Sequence, residues 1–214
     1  MNNKRKPTFF TSDLHFGHQN VIDFSKRPFR DVDHQTSVLI SKYNSVVPEN
    51  GVCFLGGDIG FCGSGDLREI IDQLNGTKIL IIGNHDKRYN SMYNAGFDAV
   101  MHMARFQIAG QTVTMSHCPL LGLPRENTEG MKNHDGTEDW HGSTNPKRRP
   151  YTCEDKGQFH LHGHIHSPNS GKSKKISNRQ YDIGVDANNY MPVSIGQIES
   201  WITKTLRDEK RGLK

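Results

Sequence analysis

The residues that could do chemistry in this chain are Asp13, His15, Asp58, Asn84, His85, His117, His164 and His166, and their positions say more than their types. Asp13 and His15 follow the apolar run Thr8–Ser12, Asp58 follows Val52–Leu55, and Asn84 and His85 follow Lys78–Ile82. His117 comes just after Thr112–Met115, and His164 and His166 just after Phe159–His162. In open α/β sheets, ligands gather outside the carboxyl ends of the strands. Oxygen and imidazole donors without thiolate suit Mn²⁺, Fe or Zn²⁺, and two such cations need roughly six to eight side chains. An aspartate can bridge a pair of ions about 3.5–4 Å apart. Asp58 stands mid-set behind Gly56 and Gly57, which let the backbone approach closely.

The elements that must position these residues can be read from hydrophobic spacing. Asp33–Val47 carries Val38, Leu39, Tyr43, Val46 and Val47 at helical intervals before Pro48. A second helix runs from Asp66, read as its cap, to Leu74, with Leu67, Ile70, Ile71 and Leu74 on one face. Strand, helix, strand, helix, strand within about ninety residues predicts βαβ units and a parallel sheet. Shorter strands are predicted at Phe97–Met101, Arg105–Ala109 and Thr112–Met115, the last two joined by a hairpin at Gly110. Further strands are predicted at Phe159–His162 and Gln180–Val185, followed by a helical segment from Ile195 to Arg207. The expectation is two packed sheets with helices outside, in one domain over 1–214 with a polar loop insertion at about 119–157.

Bulk properties exclude several classes. The chain has 214 residues with 33% hydrophobic content and a net charge of +4. Its mean hydropathy is −0.71. No run approaches the ~20 apolar residues of a membrane span. The basic start, Met1 to Pro7, lacks a signal peptide's apolar stretch, so a cytoplasmic protein is expected. Cys53, Cys62, Cys118 and Cys153 form no C-x-x-C pair and read as free packing thiols.

The ordered motifs Asp13-x-His15, Gly57-Asp58, Gly83-Asn84-His85-Asp86, His117 and Gly163-His164-x-His166 resemble those of the calcineurin-like metallophosphoesterase superfamily. The opening Asp13-Leu14-His15-Phe16-Gly17-His18-x-Asn20, with Arg27-Pro28-Phe29, is similar to a subfamily of small bacterial and phage phosphoesterases. The resemblance implies an α/β fold, a four-layer α/β/β/α sandwich of two mixed sheets with a dinuclear site at the strand ends. By position, Asp13, His15, Asp58 and His166 would hold one cation, and Asp58, Asn84, His117 and His164 the other. The implied cofactors are two divalent ions, Mn²⁺ first, with Fe, Zn²⁺ and Ni²⁺ as alternatives. The implied reaction is hydrolysis of a phosphodiester or phosphomonoester by direct attack of a metal-bridging hydroxide. His85 falls where the family protonates the leaving oxygen, and Asp86 could orient that ring. Gly57-Asp58-Ile59-Gly60 lacks an acidic residue some relatives carry there, but that residue is not a ligand.

Other residues admit two readings each. His18 and Asn20 either face the phosphate or cap the next helix, and Arg27 either binds a phosphate oxygen or forms an ion pair. His160 and His162 read as packing residues first and outer-shell support second. Asp186, Asn189 and Tyr190 read as turn residues, with a substrate-facing role second. Arg148, Arg149, Lys172, Lys174 and Lys175 read as a solvated face, and Trp140 and His141 as either base-stacking or anchoring residues. The expected partner is a phosphate-ester substrate, a nucleotide among the candidates, with nucleic acid less favoured and no membrane. The alternatives are a nuclease acting on nucleic-acid ends and a non-catalytic protein-binding module on the same fold.

Overall fold

The computed structural model describes residues 6–86, 89–120, 155–168 and 177–213. Nearly all of the anticipated 119–157 insertion lies outside them, as do Trp140, His141, Arg148, Arg149, Cys153, Lys172, Lys174 and Lys175.

The β-branched and aromatic runs form β1 (Thr8–Thr11), β2 (Val52–Leu55) and β3 (Thr77–Ile81). They lie parallel, with β4 (Ala99–Met101) beyond β3 and the short β9 (Val193–Ser194) antiparallel to β1. A second sheet takes the order β5 (Ala104–Ile108), β6 (Gln111–Met115), β7 (Phe159–His162), β8 (Gln180–Asp182). Its first pair is antiparallel and the other two are parallel. The chain is therefore α/β with two mixed sheets. The helices are α1 (Gln19–Phe24), α2 (Val32–Val46), α3 (Ser64–Ile71), α4 (Tyr89–Asn94) and α5 (Ile195–Lys210).

Two apolar clusters explain the arrangement. Leu39 and Tyr43 of α2 and Leu67 and Ile71 of α3 pack with Cys53, Leu55 and Leu80 of the first sheet. The inward side chains of the two sheets meet in the other cluster, where Phe10 and Ile81 join Val113, Met115, Phe159 and Leu161, together with Ile198 and Ile202 of α5. Phe106 from β5 meets Phe10 and Phe54 edge-on, with ring centroids 5.5 and 4.8 Å away. Phe10 is fully buried, so truncating it to alanine would cost about 3–5 kcal/mol.

Several boundaries differ from the sequence reading. Asp66 lies in the first turn of α3, whose N-cap is Gly63, so it is not the cap. The β5–β6 turn uses Ala109 (φ 49°) as well as Gly110 (φ 71°), because a two-residue hairpin of this hand needs both central residues left-handed. That ends β5 at Ile108 rather than Ala109. β8 stops at Asp182 rather than Val185, and beyond it Gly184 bridges to Ser12 and ties the second sheet to the end of β1. Asp31 caps α2 by accepting from the His34 amide at 2.8 Å, and Ser194 and Gln197 form a reciprocal capping box on α5. No helix among the described residues is long and apolar enough to cross a membrane.

Candidate metal centre

Beyond the strand ends the backbone continues as a crosslinked set of loops. The Asp13, His15 and Phe16 amides donate to the Gly57, Asp58 and Ile59 carbonyls at 3.0, 3.0 and 2.8 Å. From the second sheet, the Gly163 amide donates to the His117 carbonyl at 2.9 Å and the Val185 amide to the Ser12 carbonyl at 3.0 Å. The loops adopt a conformation that ordinary residues avoid. Asp13 (φ 59°), His15 (50°), Asp58 (54°), His164 (70°) and His166 (44°) are all left-handed. Such a conformation costs of order 1–3 kcal/mol each and persists only where the surroundings enforce it. Five of the seven anticipated ligands share it.

Two glycines make the close approach possible. A Cβ on Gly83 would overlap the Asp58 carboxylate, and one on Gly163 would overlap the Asp13 carboxylate and the Ser12 hydroxyl. Without those methyls, the His85 amide donates to Asp58 Oδ1 at 2.9 Å and the His164 amide to Asp13 Oδ2 at 2.9 Å. Each aspartate thus has one oxygen fixed by the opposite loop, and its other oxygen faces imidazole nitrogens. Asp58 Oδ2 lies 3.7 Å from His15 Nε2 and 3.4 Å from His117 Nε2. Asp13 Oδ1 lies 3.9 Å from His166 Nε2, and it is buried with no hydrogen-bond partner among the described residues.

The rings are oriented from behind. His117 Nδ1 donates to the Gly56 carbonyl at 2.7 Å, so Nε2 points inward, 2.8 Å from Asn84 Oδ1 and 3.1 Å from His164 Nδ1. His166 Nδ1 donates to Asp186 Oδ2 at 2.8 Å, which turns its Nε2 to within 3.2 Å of His15 Nε2. Donors held about 2.0–2.2 Å from a shared cation sit roughly 3–3.5 Å from one another, so these spacings suit metal ligation. Ligand atoms within 4.8 Å of one another define three groups: Asp13, His15 and His166; Asp13, Asp58 and His117; His117, Cys118 and His164. The donor set and the orphaned Asp13 oxygen fit divalent cations.

The electrostatics point the same way. Burial lifts the Asp13 carboxyl to about 6. Burial would raise Asp58 as well, but His117 and His15 hold it below the usual carboxylate range. For His117 the penalty of burial is outweighed by the Asp58 carboxylate, which takes the ring to about 10. For His166 burial is likewise overcome, here by the bond to Asp186, and its pKa rises. His15 is pushed well down by burial, and His164 falls to about 3 through burial and the neighbouring His117. Protons on His117 and His166 occupy the lone pairs that a cation would take, so metal binding there must release protons.

The remaining anticipated residues divide. His85 is exposed at the edge of the cluster, with its ring 6.0 Å from that of His15. Asp86 does not orient it. Its carboxylate accepts from the Gly83, Asp58 and Ile59 amides at 2.7, 2.9 and 2.9 Å, so it staples the β2 and β3 loops together. His18 is half-buried, 3.4 Å from the His15 ring by its own Nδ1, and makes no side-chain cap bond to α1. Asn20 is exposed on the first turn of α1 and is not part of the cluster.

Arg27 is not available to a phosphate. Its guanidinium is buried and grips both oxygens of Asp186, the Leu14 and Asp13 carbonyls and Gln35 Oε1, which engages all its donors. It braces the Asp13–His15 loop and the carboxylate behind His166. Asp186, read from sequence as a turn residue, is that carboxylate. Cys118, which reads from sequence as a packing thiol, lies beside both His117 and His164, its sulfur within 4.8 Å of a nitrogen of each ring. Burial raises its thiol pKa and keeps it protonated.

No family model matches the chain. It is 30% identical over 186 residues to the gene 66 protein of Mycobacterium phage L5, covering 84% of this chain and 86% of that one. It is 29% identical to the gene 66 protein of Mycobacterium phage D29 over 199 residues, covering 84% and 87%. An uncharacterized protein of Methanocaldococcus jannaschii is 36% identical over 81 residues, covering 37% of this chain and 46% of its own. Among solved structures, a protein of unknown function from Aquifex aeolicus superposes with a TM-score of 0.64 at 24% identity, covering 92% of this chain and 99% of that one. That likeness concerns the fold alone.

Proposed function

We propose that this chain, which belongs to the family of the gene 66 protein of Mycobacterium phage L5, is a metal-dependent phosphoesterase of the calcineurin-like kind. The observation that carries the reading is the convergence of seven Asp, Asn and His side chains from both sheets, five of them on left-handed backbone. Asp13, His15, Asp58 and His166 would hold one divalent cation, and Asp58, Asn84, His117 and His164 the other, with Mn²⁺ as the first choice. Such a pair supplies a water acidified to nucleophilic strength and neutralises charge on the phosphoryl oxygens. The finer architecture belonging to this reading is a four-layer α/β/β/α sandwich, and the expected setting is the cytoplasm.

The chain's own residues have distinct tasks. Asp58 Oδ2, between His15 and His117, is placed to serve both halves of the centre. Gly56 and Asp186 fix the tautomers of His117 and His166 so that each presents Nε2 inward. His85, exposed beside the cluster, is placed to protonate the departing ester oxygen. A diester is the preferred substrate because its alkoxide leaving group benefits most from that proton.

The test is a panel of phosphate mono- and diesters with Mn²⁺, Fe²⁺, Zn²⁺ and Ni²⁺ at one pH. Metal-dependent turnover, with diesters ahead, is expected. Protein that binds Mn²⁺ yet hydrolyses nothing would instead indicate a binding module.

A further inference from the structure

Phe61, Tyr93, Met103 and Leu213 are the large apolar side chains left exposed among the described residues. Phe61, 43% exposed, is the one whose ring touches the candidate centre. It stacks on His18 with centroids 4.0 Å apart and planes 21° apart, and it also lies 4.9 Å from the His85 ring and 5.6 Å from the His15 ring. Phe24 closes the other end of the row, edge-on to His18 at 5.9 Å and to His166 at 5.8 Å. The backbone beneath is pinned, since the Phe61 amide donates to the Phe16 carbonyl at 2.8 Å and Gly60 bridges to Phe16.

A lone exposed phenylalanine on a protein surface needs no explanation. One stacked on a half-buried histidine, carried on hydrogen-bonded backbone, and set against the residue that would protonate the leaving group is differently placed. We propose that Phe61, with His18 behind it, is a stacking ledge for a nucleobase carried on the leaving side of the ester, so that the substrate class is a nucleoside phosphate. This rests on the phosphoesterase reading. A prepositioned aromatic ring loses little conformational freedom on binding, and its π-face accepts any base without demanding a sequence. The same chemistry could be presented by a free nucleotide or by a nucleic-acid end.

The test is calorimetric titration of the Mn²⁺-loaded full chain with non-hydrolysable methylene phosphonate analogues of adenosine 5′-phosphate and ribose 5-phosphate, which differ only in the base. Stacking on an aromatic side chain predicts that the adenosine compound binds about 5- to 150-fold tighter. Phe61→Ala should bring the ratio of the two affinities close to one, and Phe61→Trp should restore it. Equal affinities in the unaltered protein, or a ratio that survives Phe61→Ala, would overturn the ledge and leave the phosphoesterase reading intact. Binding of neither compound would likewise overturn the ledge, while the phosphoesterase reading stands or falls on the mono- and diester panel. A trinucleotide with the same 5′-phosphonate distinguishes the two sources: equal affinity identifies the free nucleotide, and tighter binding a nucleic-acid end.

Discussion

His160 and His162 lie two residues apart on β7, and His164 and His166 continue the same alternation just beyond it, yet the two pairs have opposite fates. Strand alternation sends Phe159 and Leu161 into the core between the sheets and His160 and His162 to the other face. His160 is buried there, bonded to Thr114 Oγ1 at 2.9 Å, Ser116 Oγ at 3.2 Å and the Cys118 carbonyl at 3.1 Å. Gly163 then breaks the alternation, and left-handed turns at His164 and His166 swing their rings toward the aspartates. Residue type and spacing are identical; the end of the strand and one glycine separate packing from a place in the candidate centre.

The sharpest way to break that contrast is to remove rings from either side of Gly163. His164→Ala and His166→Ala should each weaken Mn²⁺ binding by at least about 10²-fold, beyond the range of outer-shell changes, as read by titration calorimetry. Mn²⁺ affinity close to that of the unaltered protein in both variants would dissolve the distinction. Asp186→Asn acts one bond further out, since it weakens the acceptor that orients His166, and should cost about 10- to 100-fold in affinity. If Asp186 were only a turn residue, the affinity would not move.

On the packing side, His160→Ala should leave metal stoichiometry intact and lower stability by about 1–3 kcal/mol in urea denaturation, because the buried Ser116 and half-buried Thr114 hydroxyls lose a partner. The pH dependence of the metal-free protein separates the pairs by sign. Burial, helped by His162, pushes His160 down to about 3, so its contribution is complete above the ordinary histidine value near 6.5. As pH falls from there toward 3, that contribution is lost by up to about 1.4 kcal/mol per unit. His166, raised by Asp186 against the effect of burial, stabilises below 6.5, and that contribution disappears as pH climbs through its raised value. In EDTA, the NMR signal of the His160 ring should stay in its neutral position down to pH 4, while that of His166 titrates above 6.5. A His160 ring that titrates near 6.5 would contradict its assigned burial.

Much of this was legible in the chain itself. The first three strands and the candidate ligands at their ends stand out because apolar runs followed by Asp, Asn, His and Gly have few other uses. Short elements were not legible. The helices α1 and α4 have six residues each, too few for a period to show, and β9 has two. Within the site, what sequence missed was long-range. Arg27 reads as either a phosphate contact or an ion-pair residue, and its partner, Asp186, lies 159 positions away. Asp86 reads as a partner for His85 until three amides from two loops converge on its carboxylate. Phe61 carries no motif at all, and only its ring contacts reveal it.

Everything assigned to the centre depends on Asp58 serving two cations at once. The most direct measurement is the number of Mn²⁺ ions bound per chain, counted by equilibrium dialysis and atomic emission for the unaltered protein and for Asp58→Asn. Two ions per chain, as in two-metal hydrolases, with both weakened together in the variant, is the predicted result. An unaltered protein that binds no Mn²⁺, or a variant that loses one ion while holding the other at full affinity, would contradict it.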